Sequence, residues 1–84
     1  MRSFALKVVI EEDQFENGRP AYHASCPALS GCRTWGYTYD EALTNIREAI
    51  ELCVDTLVAE GKEIPLDPNQ GIMEVPSPAV VVNV

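Results

Sequence analysis

The segment from Thr38 to Gly61 has the pattern of an amphipathic helix with both ends marked. Thr38 and Glu41 fit the capping box, in which each side chain pairs a main-chain N–H left without a partner in the first turn. Gly61 is a typical stop. The apolar positions between these ends are Ala42, Leu43, Ile46, Ala49, Ile50, Cys53, Val54, Leu57 and Val58. About 22 residues give a helix of roughly 33 Å, and its apolar stripe predicts packing on a sheet.

Three segments before the helix predict short antiparallel strands. The first runs from Phe4 to Ile10, the second from Ala21 to Cys26 and the third from Cys32 to Tyr37, each with period-two alternation. The acidic stretch from Glu11 to Pro20 contains the turn pair Asn17-Gly18, so we predict a hairpin connection there. The three strands together form a meander.

The residues after the helix predict extended structure. Four prolines fall in residues 65–78, so we interpret this stretch as a proline-bearing arm. The β-rich run Ala79–Val84 predicts a terminal strand that pairs with its own sheet or a neighbour's. The predicted fold is α+β, in the order βββαβ, as a single domain over residues 1–84. A core of this size is marginal, so we expect a homo-oligomer, either a dimer or a tetramer.

Charge and cysteine usage narrow the function classes. Six basic and thirteen acidic residues give the chain a formal net charge of −7 at pH 7. This charge disfavours direct nucleic acid binding and favours a basic partner. No signal peptide or membrane-spanning run is recognisable, and three cysteines are an odd set that suits free thiols. We therefore expect a cytoplasmic protein without membrane contact.

Candidate catalytic and metal sites are weak. His23 is the one histidine, and on an alternating strand it points away from Cys26, so no catalytic pair forms. A metal site built from His23, Cys26, Cys32 and Cys53 lacks the short Cys-x-x-Cys spacing of structural zinc sites. Cys53 lies in the apolar stripe, where packing explains it. We predict no catalytic residue, no metal and no cofactor.

Two groups of residues are candidates for partner binding. Arg33, Trp35 and Tyr37 share one face of a predicted strand, with Tyr22 on a neighbouring strand. Such residues are enriched in interface hot spots, but core beneath the helix is an equal interpretation of this face. The acidic residues Glu11, Glu12, Asp13 and Glu16 lack the glycine and spacing of an EF-hand loop, and they suit either a solvated loop or contact with a basic partner. The predicted partner-binding set is Tyr22, Arg33, Trp35, Tyr37, Glu11, Glu12 and Asp13.

A series of short motifs runs through the middle of the chain. They are Pro27-x-Leu29-x-Gly31-Cys32, Gly36-x-Thr38-x-x-Glu41-Ala42, Ile46-x-Glu48-Ala49-Ile50 and Glu60-Gly61 followed by Ile64-Pro65. In this order and spacing, over about residues 4 to 65, the chain resembles the HicB antitoxin family.

The resemblance implies an α+β fold related to a degraded ribonuclease H core without its metal-binding carboxylates, and hence a non-enzyme. It also implies a partner, a small basic RNA-cleaving toxin of the HicA type that is neutralised by masking. Fuller members carry a C-terminal DNA-binding domain, whereas only about 20 residues follow the helix here, so this short form is not expected to bind DNA.

Two alternatives remain at this stage. The first is a solitary HicB-like oligomer that serves as an adaptor or structural module without a toxin. The second is an enzyme or small-ligand binder that uses His23 and the Trp35 face, although no constellation of residues supports it.

Overall fold

Six regular elements occur in the computed structural model, which describes residues 3–65, 69, 71–75 and 82. Their bounds are β1 Ser3–Leu6, β2 Val9–Gln14, β3 Pro20–Ser25, β4 Arg33–Gly36, α1 Tyr39–Ala59 and β5 Ile72–Val75. Strands β2, β3 and β4 form an antiparallel sheet in that order, and β1 pairs with β5 in a separate antiparallel ladder. The predicted α+β class, with a three-stranded meander, one long helix and a late strand, is confirmed.

The prediction of one strand over Phe4–Ile10 is wrong, because the strand is interrupted at residues 7 and 8, between β1 and β2. The N–H of Lys7 donates to the carbonyl oxygen of Gly71 at 2.7 Å, which ties this point to the turn before β5. Gly71 has a φ of +85°, and a side chain there would collide with Lys7. One half of the predicted strand therefore pairs with β5, and the other half joins the meander.

The hairpin connection predicted for Glu11–Pro20 is also too long. Glu11–Gln14 continue β2 and pair with β3, from Glu11 opposite His23 to Gln14 opposite Pro20. The turn itself is closed by the N–H of Phe15, which donates to the carbonyl oxygen of Arg19 at 2.9 Å. An acidic strand is tolerated here because β2 is an edge strand, where charged side chains remain in solvent.

The helix α1 has the predicted boundaries. At its start the hydroxyl of Thr38 accepts the N–H of Glu41 at 3.1 Å. At its end the N–H of Gly61 donates to Val58 and that of Lys62 donates to Leu57, which is the Schellman arrangement with Gly61 at a φ of +71°. No helix in the described ranges combines the length and apolarity needed to cross a membrane.

The core lies between α1 and the meander, with β5 closing one side. Its buried apolar members are Ala24, Cys26, Leu29, Cys32, Ala42, Ile46 and Ile72. The helical stripe in contact with this core is narrower than predicted, since Leu43 is 37% exposed and Val58 is 62% exposed. Small residues on the strands, such as Ala24 and Gly36, let the helix approach the sheet closely.

The region after the helix differs from the predicted arm over residues 65–78. Within it, Ile72–Val75 form β5, a stretch without proline that pairs with β1 from Ile72 opposite Leu6 to Val75 opposite Ser3. The terminal strand predicted at Ala79–Val84 lies outside the described residues except for Val82, which is exposed. The single-domain organisation stays a prediction.

Candidate partner-binding surface

The meander has one side beneath α1 and one side that the helix does not cover. Gly36 is buried against the helix, so its neighbours Trp35 and Tyr37 point away from it. We call the uncovered side the outer face; by alternation it comprises Val9, Glu11, Asp13, Phe15, Ala21, His23, Ser25, Arg33, Trp35 and Tyr37. Trp35 is 43% exposed and Tyr37 is 51% exposed. The interpretation of this face as core beneath the helix is therefore wrong.

Three aromatic side chains gather at one end of the outer face, and we call Phe15, Trp35 and Tyr37 the aromatic cluster. The ring centroid of Trp35 lies 5.2 Å from that of Phe15 and 5.1 Å from that of Tyr37, with interplanar angles of 85° and 88°. Such edge-to-face pairs are favourable beyond the area they bury. Ala21 lies at the same end of the outer face and is only 2% exposed. We attribute this burial to the aromatic rings that lie beside it. The aromatic cluster is thus an ordered surface feature.

The charged groups of the outer face are arranged in cross-strand rows. Glu11 stands opposite His23, which stands opposite Trp35. The Nε2 of His23 lies 3.6 Å from Oδ2 of Asp13, with both side chains largely exposed. Arg33 lies one row further along, opposite Ser25. The outer face therefore has carboxylates on β2, the guanidinium of Arg33 at one end, and at the other end Arg19, which lines an open pocket with Phe15 and Tyr37.

The predicted partner-binding set divides between the two sides of the sheet. Glu11, Asp13, Arg33, Trp35 and Tyr37 lie together on the outer face. Tyr22 and Glu12 are cross-strand partners on the helix side; Tyr22 packs against the core, and its ring meets that of Tyr39 edge-on at 6.5 Å.

Phe15 was missed by the sequence-based prediction. Phe15 follows Glu11 and Asp13 at every second position, which places it on the same face of a strand. This alternation can be used only when the acidic segment is recognised as a strand.

The cysteines lie on the helix side of the sheet, away from His23. Cys26 and Cys32 are buried and Cys53 is half-buried, and all three are free thiols. Burial, together with a hydrogen bond to Cys53, raises the pKa of the Cys32 thiol to about 12. A thiol of this kind stays protonated near neutral pH and is a poor nucleophile. Across the described positions, no three His, Cys, Asp or Glu side chains are grouped to hold a metal ion.

The motif residues build the scaffold. Leu29 is buried, with its N–H donating to Cys26 and its carbonyl oxygen accepting from Cys32, both at 3.1 Å, and Gly31 takes the positive φ that closes this loop. On the helix, Asn45 Nδ2 donates to the carbonyl oxygen of Trp35 at 2.9 Å and so fixes β4 from behind. The motifs explain the fold, whereas the outer face is formed by other residues.

Comparison with known proteins gives a consistent result. A family described as "HicB_like antitoxin of bacterial toxin-antitoxin system" matches residues 6–77. The chain is 46% identical over 57 residues to a UPF0150 protein of Synechocystis sp., which covers 68% of each chain. It is 49% identical over 55 residues to a UPF0150 protein of Helicobacter pylori, covering 66% of this chain and 69% of the relative. It is 43% identical over 60 residues to a UPF0150 protein of Thermoplasma acidophilum, covering 71% of this chain and 81% of the relative. No solved structure gave a significant match.

Proposed function

The chain belongs to the HicB-like antitoxin family, and we propose on that premise that it is the antitoxin of a type II toxin–antitoxin pair. In this proposal it binds a small basic RNA-cleaving toxin of the HicA type and masks it, acting by binding and not by catalysis. The family match over residues 6–77 carries the proposal. The net charge of −7 supports it, because opposite charge speeds the encounter with a basic partner.

We place the contact with the toxin on the outer face. Trp35 and Tyr37 are large exposed side chains held in position by Phe15, and rigid aromatic residues are frequent interface anchors. Glu11, Asp13 and Arg33 supply charged groups around them. We further propose that the protein works in the cytoplasm as a homo-oligomer, since its own core is small.

The test starts from capture of the tagged protein's partners from extract of its native cells at low and at moderate salt. A small basic protein among them is purified and assayed for RNA cleavage with increasing amounts of the antitoxin. We expect cleavage to stop near equimolar protein. Recovery of the tagged protein alone, or a basic partner whose cleavage continues unchanged, would overturn the proposal and favour a solitary oligomeric module.

A pair of variants then tests the location of the contact. Trp35→Ala removes an exposed aromatic side chain from the outer face, and Leu52→Ala removes a 69% exposed apolar side chain from the helix. Leu52 lines an open groove of about 560 Å³ on another part of the surface. We expect Trp35→Ala to lose neutralisation and Leu52→Ala to keep it, with circular dichroism confirming that both are folded. The reverse pattern would move the contact to the helical groove.

A further inference from the structure

We propose that the outer face recognises an arginine side chain of a basic protein partner, with the guanidinium lying against the indole of Trp35 and donating to the carboxylates of Glu11 and Asp13. The inference rests on the proposed function, because it names the chemistry by which the same face would select its partner. It concerns a protein ligand, since the net charge of −7 disfavours nucleic acid.

The aromatic half of the site is provided by Trp35. Phe15 and Tyr37 both meet it at nearly a right angle, so neither ring is stacked flat on the indole. The residue is held on two sides and is still 43% exposed. Tryptophan is the aromatic side chain that attracts cations most strongly, and arginine is the commoner partner because its planar guanidinium can stack.

The acidic half is provided by β2. Glu11 lies in the same cross-strand row as Trp35, two strand spacings away, which is roughly 10 Å. His23 occupies the position between them in this row, so a guanidinium that reaches both the indole and the carboxylate lies over the imidazole. In the part of the chain that the structure describes, Glu11 makes no ion pair, while Oδ2 of Asp13 lies 3.6 Å from Nε2 of His23 and Oδ1 of Asp13 accepts the N–H of Gln14 at 2.7 Å. Glu11 is therefore available to a cation from outside, whereas Asp13 would share the cation with His23 or exchange His23 for it.

Arg33 gives the site a direction. Arg33 lies across from Ser25, at the end of the outer face that is farther from Asp13. Its positive charge repels a second guanidinium there. Arg19 lines an open pocket with Phe15 and Tyr37 and limits the aromatic end in the same way. A partner arginine is thus favoured over the middle of β2 and β3, between these two positive charges. Lysine can satisfy the charge but has neither the planar fork for a carboxylate nor a flat surface for the indole. Selection of arginine over lysine is the distinctive consequence.

The fluorescence of Trp35, the one tryptophan of the chain, reports directly on the site. The full chain is titrated with a blocked peptide of alternating arginine and glycine, and in parallel with the same peptide carrying lysine. We expect a saturable change in emission with the arginine peptide and affinity about fivefold or more above that of the lysine peptide. Equal affinity for the two peptides, or binding without any change in emission, would overturn the inference.

Matched charge variants separate a local site from overall charge. Glu11→Gln combined with Asp13→Asn removes two negative charges from the outer face, and Glu48→Gln combined with Asp55→Asn removes two from the helix. We expect the first pair to abolish the preference for arginine and the second pair to keep it. Equal losses of arginine preference in the two double variants would mean that only net charge matters. Emission that varies with protein concentration in the absence of peptide would mean that a second copy of the chain covers the indole. Either result overturns the inference. Because no toxin is used, such a failure is distinct from a failure of toxin neutralisation.

Discussion

A Cβ placed on Gly36 would lie 2.5 Å from the main-chain nitrogen of Ala42. Strand β4 and the first turn of α1 therefore touch backbone to backbone, and Ala42 is completely buried at the contact. Gly36 therefore has no room for a methyl group. This close approach sets the angle at which the helix leaves the sheet, and with it the side of β4 on which Trp35 is displayed.

Gly36→Ala should destabilise the protein by about 2–4 kcal/mol, because the new methyl group meets backbone that cannot rotate away. Urea unfolding followed by circular dichroism measures the loss. Gly18→Ala is the matched control: Gly18 has open space around it and a φ of +81°, so its cost of about 1 kcal/mol is conformational only. Equal losses in the two variants would contradict the close packing.

Thr38→Ala should destabilise the protein by about 1 kcal/mol, because the N–H of Glu41 loses the hydroxyl that caps it. Thr56 is the contrasting threonine, since its hydroxyl donates to the carbonyl oxygen of Leu52 within the helix. Thr56→Ala should be neutral or stabilising by up to about 0.7 kcal/mol, because alanine is the better helix former. Thermal unfolding of both variants gives the comparison, and a loss at Thr56 as large as that at Thr38 would refute the capping role.

Ile72→Ala should destabilise the protein by about 2–5 kcal/mol, because the side chain is fully buried in the core that β5 closes. Its neighbour Met73 points outwards and is 50% exposed, so Met73→Ala should cost less than about 1 kcal/mol. Denaturant midpoints of the two variants test whether β5 is docked as described. Similar small effects at both positions would show that this strand does not belong to the core.

The helix boundaries could be predicted from sequence because the determining residues, Thr38 and Gly61, act on their own neighbours. The break at Lys7 could not, because its partner Gly71 lies near the other end of the chain. The strand at Glu11–Gln14 cannot be recognised from sequence, because an edge strand with exposed side chains lacks apolar alternation. The alternation in β4 correctly placed Trp35 with Arg33, but which side the helix covers depends on the contact between Gly36 and Ala42.

The pH dependence of stability should show a contribution from Cys32. The thiol's pKa is about 12 in the folded protein, against an ordinary value of 9.0, chiefly because burial disfavours the thiolate. Below about pH 9 the thiol is protonated in both states, and its contribution is fully present. Between about pH 9 and 12 the unfolded chain releases the proton while the folded chain keeps it, so stability falls by at most about 1.4 kcal/mol per pH unit.

Urea unfolding under reducing conditions at several pH values from 8 to about 10.5 measures this slope, and Cys32→Ala isolates it. The variant loses packing and starts from lower stability at pH 8, but its stability should fall less steeply with pH, because it lacks the buried thiol that the folded chain keeps protonated. The difference in slope is therefore the diagnostic quantity, independent of the starting value. Parallel curves for the two proteins would mean that Cys32 ionises as readily in the folded chain as in the unfolded one, and that burial does not protect it.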